Sequence, residues 1–271
     1  MLDTVSQGAR RMTVTPRGRI QRCADLEQMS EAAAIEFAQR TAAAAAQRGR
    51  ARVVLSGGST PRRLYERLAE EPLRTRIDWS ALDFFWSDER AVAPEHPQSN
   101  FGMAREALLD RLALRPEQVH RMPADTVDLD AAARAYEREI ADAFGVATGY
   151  DPPAFDLVLL GLGADGHTAS LFPFSDALAE RRRWVTAHRL AVNGAERLTL
   201  TIPILDEARA VVFLVGGADK AEALAAVLEG PPDPTRLPAQ LVRPRSGELL
   251  WIVDRAAAGR LQSAEPAVSP R

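Results

Sequence analysis

The chain has almost no cysteine. Of its 271 residues only Cys23 carries a thiol, so no disulfide can close within it and no thiolate cluster can hold a metal. A reducing cytoplasm fits that composition. It also lacks an excess of either charge: 34 Lys and Arg against 37 Asp and Glu leave a formal net charge of −3. That gives no broad cationic field for nucleic acid. Long apolar runs are missing too. The most aliphatic stretch, between Arg40 and Arg48, is mostly alanine flanked by charge, which suits neither a membrane span nor a secretory core. No internal repeat of fixed period recurs. These absences leave a soluble, unexported protein whose function lies in a pocket. An anionic small ligand stays open, because a few well-placed Arg, Lys and backbone N–H groups bind one whatever the overall charge.

What is present is alternation. Residues 1–19 are basic and without apolar period, and 263–271 form a Pro- and Ala-rich tail, so both ends are expected to be mobile. Between them, apolar runs alternate with amphipathic stretches, the pattern of an α/β domain with a mostly parallel sheet covered by helices, here taken as one domain over 20–262. The first helix is expected over 31–47, capped by Ser30 and stopped by Gly49. Buried strands are expected at 52–56, 82–86, 155–160, 211–215 and 249–253, with helices at 61–70 and 101–112. The Pro- and Gly-rich segments 150–154 and 230–238 read as surface loops, since the alternation continues on both sides.

Three segments carry chemistry. In Ser56-Gly57-Gly58-Ser59-Thr60-Pro61 a buried strand meets a helix through two glycines, with Thr60 as cap and Pro61 at the first helical position. The turn is either a plain tight connection or a nest of N–H donors that, with the helix dipole, attracts a phosphate-like oxyanion. It is neither a Walker loop nor a dinucleotide fingerprint. In Ser87-Asp88-Glu89-Arg90 three charges follow an apolar run, where ligands bind in open α/β sheets. A solvated loop with a local ion pair fits as well, and Arg90 could hold a phosphate. Downstream, Ser99 or Asn100 suits a helix cap, and Asn100 is also a candidate ligand contact.

The third segment is the most specific: Gly161-Leu162-Gly163-Ala164-Asp165-Gly166-His167-Thr168-Ala169-Ser170-Leu171-Phe172-Pro173, directly after an expected strand. Glycines this dense indicate crowded backbone and present Asp165 and His167 at a strand end. A lone histidine is usually packed or solvated, but one set here is a candidate general base, because imidazole titrates near neutral pH. A metal site is the rival, yet no third ligand stands at a recognisable spacing. Ser59 and Ser170 lack the elbow and the ordered partners of a nucleophile. Arg197, in an extended segment over 196–201, and Lys220, just inside a helix after Gly216-Gly217, are two further cations able to clamp phosphate.

Together, S-G-G-S-T-P, S-D-E-R, S-N at Ser99 and Asn100, G-L-G-A-D-G-H-T-A-S-L-F-P, R-L-T-L-T and G-G-A-D-K resemble the 6-phosphogluconolactonase family, in order and over nearly the whole chain. The resemblance implies a Rossmann-like α/β fold shared with glucosamine-6-phosphate deaminases. It implies a histidine base at His167 with Asp165 nearby, and a phosphate held by Gly57, Gly58, Ser59 and Thr60 with Arg90, Asn100, Arg197 and Lys220. It implies no cofactor and no metal, a sugar-phosphate lactone as substrate, no nucleic-acid or membrane partner, and a monomer or weak homodimer. The deaminase relatives usually continue D-G-H to Asn-Glu-Pro, whereas this chain continues to Leu171-Phe172-Pro173, which disfavours deamination and isomerisation of an amino sugar. A non-catalytic sugar-phosphate sensor is a further alternative, but DNA-reading helices are not evident in the first fifty residues.

Overall fold

A computed structural model describes residues 11–190 and 194–262. The chain opens with a hairpin, β1 (Arg11–Thr15) and β2 (Gly18–Cys23), whose turn uses the positive φ of Gly18. Within the lead expected to be mobile over 1–19, residues 11–15 and 18–19 are paired as strands. β2 pairs in parallel with the last strand, and the Trp251 indole N–H donates to the Arg17 carbonyl at 2.8 Å. That pairing is made by backbone across more than two hundred residues, so a short polar segment gives no apolar period to reveal it. Residues 1–10 and the tail 263–271 lie outside the described residues.

Helix α1 (Leu26–Arg48) starts a turn earlier than its sequence suggested. Asp25, not Ser30, is the cap: its carboxylate accepts from the Gln28 N–H at 2.9 Å, and Ser30 is buried inside the helix. Two serviceable caps lie five residues apart, and the earlier one wins because Met29 then joins the buried face. Gly49 ends the helix at φ 77°, as expected. There follow β3 (Ala51–Leu55), α2 (Ser59–Leu68), α3 (Leu73–Arg76), β4 (Leu82–Trp86), β5 (Asp88–Arg90), α4 (Asn100–Ala107) and α5 (Leu129–Phe144). The second half supplies β6 (Leu157–Gly161), β7 (Val185–Arg189), β8 (Glu196–Leu200), α6 (Ile202–Asp206), β9 (Ala210–Val215), α7 (Ala221–Glu229) and β10 (Glu248–Asp254).

Seven strands form one sheet in the order β1-β2-β10-β9-β6-β3-β4, parallel throughout except for the β1–β2 pair. All six residues of β9 and all five of β4 are buried, as continuous apolar strands covered on two sides must be. Asp83 is the charged exception within β4, and its carboxylate accepts a two-pronged hydrogen bond from Arg50. The other expected parallel strands stand within two residues of their predicted ends, which is the usual uncertainty of a boundary. A second, antiparallel sheet of order β5-β8-β7 lies beyond the end of β4. The consequence for function is directional: β3, β6 and β9 are neighbours and parallel, so the loops after Leu55, Gly161 and Val215 leave the same edge side by side.

Candidate active site

The loop after β3 is tied down from below. The backbone N–H of Ser56 donates to the Tyr65 hydroxyl, and that hydroxyl donates to the Ser56 carbonyl, both at 2.9 Å. Burial pushes the Tyr65 phenol up, so it stays a neutral hydroxyl able to do both. Gly58 then turns at φ 107°, and α2 begins at Ser59 with no side-chain cap at all. Thr60 is thus not the expected cap. Its hydroxyl stands at the helix entry near Gly216, and Ser59 and Thr60 of the first turn of α2 line the cleft. A helix start without an internal acceptor, at the positive end of its dipole, is suited to receive an anion. Gly57 is required by packing: a Cβ there would overlap the Asn100 carboxamide.

Asn100 is fixed rather than free. Its amide Nδ2 donates to the Asp88 carbonyl at 2.9 Å and more weakly to the Asp88 carboxylate at 3.3 Å. Ser99 provides the cap of α4, its hydroxyl accepting from the Gly102 N–H at 3.0 Å, which is the capping role expected for this pair. Beneath it, the buried Glu89 carboxylate accepts from the N–H groups of Asn100 and Phe101 at 2.8 Å and from the Ser99 hydroxyl at 3.0 Å. Burial outweighs those bonds and raises the Glu89 pKa. The S-D-E-R segment is therefore not a solvated loop: Asp88 and Glu89 are buried in β5. Asp88 accepts from the Ser170 hydroxyl at 2.7 Å, which commits Ser170 to a structural bond and removes it as a nucleophile. Arg90 lines the cleft and donates to the Gln98 carbonyl.

The loop after β6 presents the histidine. Asp165 Oδ1 accepts from the His167 backbone N–H at 3.1 Å and lies 2.5 Å from its ring Nδ1. With Nδ1–H donating to the carboxylate, Nε2 keeps its lone pair, and that nitrogen makes no hydrogen bond among the described residues. Partial burial alone would raise the Asp165 pKa, but the hydrogen bond and charge of His167 outweigh it and the net displacement is downward. Phe172 stacks on the imidazole with ring centres 4.2 Å apart. Gly163 is as necessary as Gly57, since a Cβ would strike both the His167 ring and the Asp165 carboxylate. Gly166 turns the loop at φ 84°.

The loop after β9 brings Lys220. Gly217, at φ 98°, donates its N–H to the Asp254 carboxylate at 3.0 Å, and Lys220 follows with its ammonium 3.1 Å from Asp219.

One cleft of about 220 Å³ is lined by Gly57, Gly58, Ser59, Thr60, Arg90, Asn100, His167 and Lys220, so eight of the ten expected residues share it. Asp165 stands behind the imidazole and does not line the cleft. Arg197 does not line it either: it sits on β8 directly across from Arg90, half-buried, with no carboxylate ion pair among the described residues. Burial, and then the charge of Arg90, lower its pKa. Two guanidiniums opposed across a strand pair repel, which an anion between them would relieve.

Sequence reasoning missed several supports. Asp88 lines the cleft, where the charged triplet was expected to stand, but its bonds to Asn100 and Ser170 were not foreseen. Phe172 lay inside the glycine-rich motif, yet a stacking role needs coordinates. Tyr65 and Asp254 gave no signal beyond their positions on α2 and at the end of β10.

Comparison with known proteins places this arrangement. The family model described as glucosamine-6-phosphate isomerases/6-phosphogluconolactonase matches residues 24–251. A 6-phosphogluconolactonase of Synechocystis is 44% identical over 232 residues, 86% of this chain and 93% of that protein. One from Streptomyces coelicolor is 40% identical over 259 residues, 92% of this chain and 96% of the other. Among solved structures, the 6-phosphogluconolactonase from Trypanosoma cruzi superposes with a TM-score of 0.80 at 32% identity, covering 93% of this chain and 99% of its own.

Proposed function

Because the chain belongs to the glucosamine-6-phosphate isomerase/6-phosphogluconolactonase family, we propose that its cleft hydrolyses 6-phosphoglucono-1,5-lactone with His167 as general base. The activity is that of a sugar-phosphate lactone hydrolase, the step of the oxidative pentose phosphate pathway that yields 6-phosphogluconate. One observation carries the catalytic reading: an imidazole with its Nδ1 pinned by a carboxylate opens on the same cleft as an uncapped helix N-terminus.

The chemistry follows from that geometry. The N–H groups of Ser59 and Thr60, with Lys220 and Arg90, hold the 6-phosphate, and Arg197 adds its field from behind Arg90. Anchoring the far end fixes the lactone carbonyl beside a water on His167 Nε2. His167 takes a proton as the water oxygen bonds to C1, and Asp165 stabilises the imidazolium that results. The oxyanion is met by N–H donors or a cation on the cleft wall. As the C1–O5 bond breaks, the imidazolium returns its proton to O5, and the acid product loses one proton to solvent. No covalent intermediate is needed, in keeping with the engaged Ser170 hydroxyl.

Among the described residues no helix is long and apolar enough to cross a membrane. With the lone cysteine, that supports a cytoplasmic setting, and the substrate is the only partner the site calls for. Proton release from freshly made 6-phosphoglucono-1,5-lactone, corrected for spontaneous hydrolysis, tests the reading. Expected is rapid release with this substrate and no ammonia from glucosamine 6-phosphate; ammonia release with no lactone turnover would reverse the assignment.

A further inference from the structure

A second cavity, of about 190 Å³, opens where β2 and β10 begin. These strands run parallel to β9, β6 and β3, so it lies at the opposite edge of the sheet from His167. Its floor is apolar, formed by the buried Val227, Val242 and Trp251 together with Leu249. Its polar face is two arginines, Arg17 and Arg243, with no Asp or Glu in the lining. Gln240 also reaches it, but its amide is spent on the carbonyls of Ala226 and Pro231, each at 3.2 Å, and on the Asp233 N–H at 2.8 Å.

The Arg17 guanidinium is short of acceptors, whereas Arg243 is exposed. Arg17 Nη2 makes a long bond of 3.3 Å to the Gly230 carbonyl, and Nη1 is buried with no hydrogen-bond partner among the described residues. Arg243 Nε donates to the Gln240 carbonyl at 3.1 Å. Neither has a carboxylate ion pair among the described residues, although about half of the other arginines there do. Burial, followed by the charge of Arg243, holds the Arg17 pKa below its usual value. The Asp206 carboxylate is engaged by the Arg243 backbone N–H at 2.6 Å, and burial pushes its pKa up to about 6. Two cations beside one another, one with a buried unpaired N–H and the other exposed at the mouth, over an apolar floor, favour an anion between them.

The geometry points to a second ligand site, separate from the catalytic cleft, that takes a small organic oxyanion: a phosphate or carboxylate held by Arg17 and Arg243, with an apolar group on Trp251 and Leu249. Guanidinium forks fit such groups two oxygens at a time. The inference goes beyond the lactonase reading and does not rest on it.

The indole of Trp251 gives a local readout, because its N–H donates to the Arg17 carbonyl at 2.8 Å. In nitrogen-15 correlation spectra, with the signal assigned by its loss in Trp251→Phe, phenyl phosphate is titrated into the full chain. A saturable shift of the Trp251 indole is expected. It should persist in Lys220→Ala, which weakens the catalytic cleft, and need at least tenfold more ligand in Arg243→Gln. Arg17→Gln, checked for folding by retained lactone hydrolysis, should behave like Arg243→Gln. Benzyl alcohol, which lacks the charge, should leave the signal in place. No saturable shift would overturn the proposal. So would the parental affinity retained in both arginine variants, an equal response to benzyl alcohol, or a shift that disappears with Lys220→Ala alone.

Discussion

Asp165 and His167 form the smallest unit on which the account rests, and the unit depends on a residue with no side chain. Only glycine at 163 lets the ring and the carboxylate lie 2.5 Å apart over the backbone. In the proposed mechanism the carboxylate has two jobs: it sets the ring orientation and tautomer, and it offsets the charge that forms when Nε2 takes a proton. Asp165→Asn keeps the shape and an acceptor but loses the charge. It is expected to lower kcat about 10- to 100-fold while KM changes less than threefold. Steady-state kinetics check this, and an unchanged kcat would remove Asp165 from the mechanism. The motif was legible in the sequence because glycine spacing and the Asp-x-His pair are local. Phe172, which stacks on the same ring, was legible only as a neighbour, since stacking depends on how the loop folds back.

At the scale of elements, the cleft is made by three loops leaving adjacent parallel strands and by β5 crossing beyond them. Glu89 joins β5 to α4 by accepting from two backbone N–H groups and the Ser99 hydroxyl at the start of that helix. Glu89→Ala strands those buried donors at a cost of about 2–3 kcal/mol. Urea unfolding should show that loss, and KM should rise, because Arg90 and Asn100 flank the lost carboxylate. A loss under about 0.5 kcal/mol would mean the cap is replaceable. The expected strands were found because buried parallel strands are continuous apolar runs. Helix starts were less secure. Ser30 and Thr60 have cap chemistry but Asp25 and Gly58 hold the positions, since burial of the rest of each helix, not the capping residue alone, sets where it begins. The hairpin β1–β2 was invisible for a related reason: its partner is more than two hundred residues away.

Across the whole molecule, charge is spread evenly but not always comfortably. The half-buried Asp206 has its pKa raised by burial to about 6, above the value near 3.8 of an unfolded chain. Between those pH values the folded protein binds the proton more tightly than the unfolded chain does. Stability from this group is therefore present at low pH and declines as pH rises from about 4 to 6. Discounted for its exposure to solvent, the effect is on the order of 1 kcal/mol. Asp206→Asn should unfold at higher urea than the parent at pH 7, with the advantage shrinking toward pH 4. A difference that does not vary with pH would contradict the assignment. None of this was readable in sequence, because it depends on which carboxylates the tertiary fold covers.

The central claim is that one imidazole, pinned by Asp165 and facing the anion cradle at the start of α2, activates the attacking water. His167→Ala tests it most directly, with 6-phosphogluconate binding measured by calorimetry beside initial rates of lactone hydrolysis. The account predicts product affinity within about threefold of the parent and a kcat reduced by about 10²- to 10⁴-fold. A folded His167→Ala protein that turns over the lactone at near-parental rate would contradict it.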